Sequence, residues 1–149
     1  MKKIEKKARV ARSGFTMVEL MAMLIIIGLL ATLVVTKVAS QIDKARVTTT
    51  KANLRKLHLA VTQFRMDTGR LPTEEEGLMA LIEEPFDTTG WAPGGYLETT
   101  ELPRDAWGGD FVYQIAPDTG TAFVIISYGA DGEEGGEDFD ADLYSTDAY

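Results

Sequence analysis

The chain has no cysteine and one histidine, His58, in 149 residues. The first absence excludes disulfide staples, thiolate nucleophiles and Cys–His dyads. The second leaves no zinc ligand set of the usual kind and no convincing Ser-His-Asp partnership. No glycine-rich phosphate loop is present. The carboxylates crowded near the C-terminus lack the aromatic-lined cleft that glycoside chemistry needs. The sequence therefore predicts a protein that is not an enzyme. Basic residues are also scarce after residue 14, with nine Lys or Arg against 22 Asp or Glu, which argues against nucleic-acid binding. A small cysteine-free domain needs another brace, and a metal ion is the candidate.

What the chain does have is concentrated at its N-terminus. Residues 1–14 carry six basic residues and one acidic residue, Glu5. Between Arg12 and Lys37 the only charge is Glu19. That run is long enough to cross a bilayer as a helix, and the basic arm before it predicts a cytoplasmic N-terminus. Val38-Ala39-Ser40 passes only weakly for a signal-peptidase site. An ionised carboxylate in hydrocarbon costs about 2.5–3.5 kcal/mol on lenient insertion scales, so Glu19 either finds a partner or snorkels to the headgroups.

After Lys37 the pattern becomes amphipathic without a breaker. Val47, Leu54, Leu57, Val61 and Phe64 recur at helical spacing, predicting one helix from about Phe15 to Asp67 that ends at Gly69 and Pro72. Thr73 and Glu76 form a capping-box pair before a short helix terminated by Pro85. Residues 111–115 and 121–127 predict a β-hairpin. Trp91 and Trp107, in glycine-rich loops, are expected to plug a small core. His58 lies beside the apolar stripe as a solvated or partly packed helix-surface residue. From Asp131 onward there are eight carboxylates and no basic residue.

The basic leader, Gly14-Phe15-Thr16-Met17-Val18-Glu19 and the apolar run together resemble the class III signal of type IV pilins and type II secretion pseudopilins. "FRMDTGRLPTEEEGLMALIEEP", "GGYLETTELPRDAWGGDFVYQ" and "SYGADGEEGGED" resemble, in order and spacing, the major pseudopilin (core protein G) family of type II secretion. The resemblance implies a pilin-like α+β fold: a long N-terminal helix packed on a small antiparallel sheet, with a calcium-binding C-terminal loop. It implies cleavage by a prepilin peptidase between Gly14 and Phe15, N-methylation of Phe15, and pairing of Glu19 with a neighbouring subunit's N-terminal amine. The implied organisation is a leader (1–14), a transmembrane and filament-core helix (15–39) and a periplasmic domain (40–149), whose helix runs to about 68 and whose calcium loop spans 128–143.

The implied partners are further copies of the chain, minor pseudopilins, the inner-membrane assembly platform, the prepilin peptidase and the membrane. The implied function is a filament whose growth drives export of folded proteins across the outer membrane. Its Ca²⁺ would be held by Asp131, Asp140 and Asp142 side chains and by the Tyr128 and Glu133 carbonyls, with Asp138 as a further candidate. An EF-hand is excluded because Leu143 stands where its glycine belongs. On composition alone the tail also reads as solvated acidic chain.

Two departures from the family pattern stand out: Thr36 replaces a usual proline, and Ala106 replaces the proline of "LP-x-D-P-W". Two other readings share many of these features. One is a type IV pilus subunit, which usually has a C-terminal disulfide loop; the other is an exported calcium-binding module cut near Ser40.

Overall fold

A computed structural model describes residues 14–115 and 120–147, with backbone alone for 33–40. The leader to Ser13, the hairpin tip at 116–119 and the side chain of Thr36 lie outside the described residues. The chain divides into two units, 1–39 and 40–149.

Helix α1 spans Met17–Thr68 and runs through both units. Its start is a capping box: Thr16 N–H and Oγ1–H both donate to Glu19 Oε2 (3.0 and 3.1 Å), and Glu19 N–H donates to Thr16 Oγ1 (3.2 Å). Its end is Gly69, in the left-handed region at φ 75°, whose N–H closes on the Arg65 carbonyl at 2.9 Å. The described side chains of the first unit are exposed on every side of the helix, from Phe15 to Leu30. A helix apolar all round needs lipid or other helices to cover it. The expected membrane crossing over 15–39 lies partly outside the described side chains. Among the described residues no helix is long and apolar enough to cross a membrane, since the described side chains of the run stop at Thr32.

In the second unit the helical stripe is buried. Leu54, Leu57, Ala60, Val61 and Phe64 meet Leu78, Ala80, Leu81, Leu97, Phe123 and Ile125 in one core. The segment after Pro72 is a 3₁₀ turn, Gly77–Leu81, rather than an α-helix. The expected capping box is nonetheless present, with Thr73 N–H donating to Glu76 Oε2 (2.9 Å) and Glu76 N–H to Thr73 Oγ1 (3.2 Å). Gly77, in the left-handed region at φ 54°, interrupts the winding immediately after that box.

The hairpin forms from β1 (Val112–Ile115) and β2 (Phe123–Ser127), antiparallel with Tyr113 opposite Ile125. β2 is buried at all five positions: Phe123 and Ile125 join the core, and a third strand, β3 (Leu143–Tyr144), pairs with Ile126 and Ser127 on its other edge. That strand was not expected from the sequence, because two residues carry no legible alternation. Trp91 joins the core edge and donates its Nε1–H to the Ala80 carbonyl (2.9 Å). Trp107 is half-buried, and its Nε1–H has no partner among the described residues.

Candidate functional site

Two places carry the chemistry singled out in the sequence: the start of α1, and the loop between β2 and β3. At the first, Gly14, Phe15 and Glu19 are all exposed. The Glu19 carboxylate accepts only from Thr16, and among the described residues no cation meets it. The capping box is readable in the sequence as Thr16-x-x-Glu19.

The second place is a tightly wrapped loop. Ala130 N–H donates to the Phe139 carbonyl (3.0 Å) and Asp142 N–H to the Gly135 carbonyl (3.1 Å). Gly129 and Gly136, both at positive φ, press against the Asp140 carbonyl, where an added Cβ would come within 2.6 and 2.5 Å of the oxygen. Glycine is required there by sterics as well as by conformation. Asp142 accepts from Gly135 N–H and from the Tyr144 hydroxyl (3.1 Å). Burial, followed by the hydrogen bond and charge of Asp142, raises the Tyr144 pKa. Asp131 accepts from Glu133 N–H (3.1 Å), closing its own turn, and the Tyr128 carbonyl accepts from Gly132 N–H.

Asp138 adopts φ 56°, unusual for a residue with a side chain. The loop thus supplies the hard oxygen donors that calcium takes. Among the described residues no three acidic or histidine side chains gather round a common point. Asp131 and Asp142 are instead engaged separately, each with backbone amides.

Asp105 is a polar centre that the sequence reading missed. This buried carboxylate accepts from Trp107 N–H (3.0 Å), Gly109 N–H (2.7 Å) and the Ser127 hydroxyl (2.7 Å), and so ties the 105–109 turn to β2. The neighbouring Ala106 departs from the family's proline, and its N–H donates to Thr50 Oγ1 on α1 (3.1 Å). Proline has no such donor. Asn53 adds a bond to the Arg104 carbonyl (3.0 Å), so the loop is pinned to α1 at two places.

The fold that carries these sites has known relatives. The family model described as type II secretion system (T2SS), protein G, matches residues 37–146. The chain belongs to the type II secretion protein G family. It is 40% identical over 139 residues to the type II secretion system core protein G of Pseudomonas aeruginosa, covering 91% of this chain and 96% of that one. It is 35% identical over 145 residues to the core protein G of Vibrio cholerae, covering 96% and 94%. The crystal structure of the major pseudopilin from the type 2 secretion system of enterohaemorrhagic Escherichia coli superposes with a TM-score of 0.60 at 29% identity, covering 71% of this chain and 90% of that one. As a protein G family member, the chain is a major pseudopilin of type II secretion, a structural protein and not an enzyme. Its fold is the pilin-like α+β fold, and its family role implies assembly with the secretion machinery.

Proposed function

We propose that this pseudopilin polymerises into a helical periplasmic filament whose core is the apolar helix 15–39, and that filament growth drives export of folded proteins across the outer membrane. Before assembly the chain would sit in the inner membrane, with its N-terminus cytoplasmic and residues 40–149 periplasmic. A prepilin peptidase would cut between Gly14 and Phe15 and methylate Phe15. The partners are other copies, minor pseudopilins and the inner-membrane assembly platform.

One observation carries the reading: the described side chains around Glu19 on its helix are apolar and exposed, and among the described residues its carboxylate meets only Thr16. The new amine of Phe15 on a neighbour, with an ordinary pKa of about 7.7–8.0, is a cation suited to that carboxylate. Neither charge is comfortable in an apolar core alone, so the pair would form only in register.

The test is a deletion strain complemented with wild type and with Glu19→Ala, assayed for exported enzymes in medium against periplasm. Wild type is expected to restore secretion and Glu19→Ala to leave folded enzymes trapped. Equal rescue by both would overturn the role of Glu19, and normal secretion in the deletion strain would overturn the function.

The β2–β3 loop is read as a calcium site held by Asp131, Asp140 and Asp142 side chains and the Tyr128 and Glu133 carbonyls, with Asp138 adjacent; the ion would have to draw these carboxylates together, since no three acidic side chains gather there among the described residues. What supports it is an all-oxygen donor set on a loop without a basic residue, in a domain without disulfides. When bound, the ion would tie the loop's two limbs together. Calcium is expected to raise the unfolding temperature of the full-length protein in detergent, and Asp131→Ala to abolish the rise. Identical melting in calcium and in chelator would end the assignment.

A further inference from the structure

The periplasmic unit is sharply divided in charge. Residues 44–66 hold six basic side chains (Lys44, Arg46, Lys51, Arg55, Lys56, Arg65) and no acidic one; of the six, Arg46 pairs with Asp43 (3.3 Å) and Lys56 with Glu98 (3.9 Å) in the same chain. Residues 73–87 hold six acidic side chains (Glu74, Glu75, Glu76, Glu83, Glu84, Asp87) and no basic one. Of the acids, Glu76 is held within the domain by Arg70 at 2.7 and 2.8 Å, while Glu74, Glu75, Glu83 and Glu84 are exposed.

Both segments also present apolar side chains to solvent. On α1 these are Leu59 (57% exposed) and Met66 (67%); on the acidic segment they are Met79 (42%) and Phe86 (92%). Met79 lines an open groove of about 250 Å³ whose other walls include Glu75, Glu83 and Glu84. Nothing in the core of the domain requires these four side chains to be large and apolar.

The two surfaces of one copy face apart. At 100° per residue, Leu59 and Met66 lie about half a turn from the buried stripe of Leu57, Val61 and Phe64, and Lys51 and Arg55 fall on or beside their side. The acidic segment is packed through Leu78 and Leu81 onto that buried stripe, on the inner side of the helix. The outer face of α1 therefore points away from its own acidic segment.

We infer that the Glu74–Asp87 surface of one copy docks on the outer, basic face of α1 around Leu59 and Met66 of a second copy. This contact rests on the filament reading and gives it a lateral interface between periplasmic domains. Because the two patches differ, the contact is heterologous, the type that propagates into an open helix rather than closing as a dimer. Met79 and Phe86 would supply the desolvated centre against Leu59 and Met66, and the rim charges would set register and suppress like-to-like pairing.

The absence of native cysteine allows a direct test in the full chain. Two differently tagged full-length copies are expressed together in secreting cells, one with Met79→Cys and the other with Leu59→Cys, and then oxidised. A mixed-tag disulfide is expected, well above the yield from two Met79→Cys copies. Glu83→Lys with Glu84→Lys in the first copy should lower it about fivefold, and Lys51→Glu with Arg55→Glu in the second should restore it.

Filaments that depend on Glu19 but give no mixed disulfide would overturn the contact and leave the filament reading standing. Loss of both filaments and cross-link would overturn both. A cross-link indifferent to the charge reversals, or stronger between like copies, would overturn the proposed pairing.

Discussion

Thr16 with Glu19, and Thr73 with Glu76, make the same pair of bonds at the start of a turn, but the two carboxylates meet different surroundings. Glu76 also receives both guanidinium nitrogens of Arg70, which in turn reaches the Thr88 hydroxyl at 2.6 Å. Glu19 has its box and, among the described residues, no cation. The same contrast runs along α1. Leu54 to Phe64 find their partners inside one chain, whereas Phe15 to Leu30 expose theirs. The second unit buries its apolar stripe within one chain, whereas the described apolar side chains of the first are exposed, as on a helix that lipid or other helices cover.

The largest test of that contrast is truncation in each half of the helix. Phe64→Ala should cost the folded domain about 3–5 kcal/mol in denaturant unfolding of the detergent-solubilised chain, because it empties the centre of the core. Leu24→Ala, equally apolar, should leave that transition unmoved and instead reduce filament yield. A destabilised domain in Leu24→Ala would break the division between the halves.

Next in size is Ala106→Pro, which restores the family's usual residue at the expense of the Ala106 N–H bond to Thr50. Leaving that buried hydroxyl without its donor should cost about 1–3 kcal/mol in the same measurement. A neutral result would show that the loop is not pinned to α1 through this bond.

Glu76→Gln is expected to cost about 1–2 kcal/mol while leaving secretion intact, the reverse of Glu19→Gln, which should spare stability and impair secretion. The hydrogen bonds from Arg70 are the main cause holding the Glu76 carboxyl below its ordinary pKa of 4.5. Its contribution is therefore complete above that value and is lost as pH falls through the folded-state pKa. A midpoint–pH curve for Glu76→Gln that fails to flatten in this acid range would dissolve the comparison between the two boxes.

The smallest effect is at His58. Half-buried, stacked on Phe123 at a ring separation of 4.6 Å, with Nδ1 3.2 Å from Ser145 Oγ, it is held below its ordinary pKa of 6.5 by desolvation. The unfolded chain therefore binds the proton more readily. Stability should be full above pH 6.5 and decline as pH falls below it. His58→Gln should flatten the urea midpoint between pH 7 and pH 5.5, and an unchanged slope would show that the histidine is not packed in solution.

Local pattern alone determined much of this protein. The helix reading from Phe15 to Asp67 lies within two residues of Met17–Thr68, because its apolar period and its terminating glycine are both local signals. The hairpin and the Thr73–Glu76 box were legible for the same reason. The motif around Gly14 and Glu19, with three further stretches, was sufficient for the family.

Tertiary structure alone decided the rest. β3 exists because β2 has a second edge to cover, and no two-residue pattern announces that. Asp105 reads as one more acidic residue until the fold brings Trp107, Gly109 and Ser127 round it. The acidic loop resolves into a wrap only where the Asp140 carbonyl meets Gly129 and Gly136, contacts set by the path of the chain. Periodicity records which face of an element is apolar, but partners distant in sequence are chosen by packing.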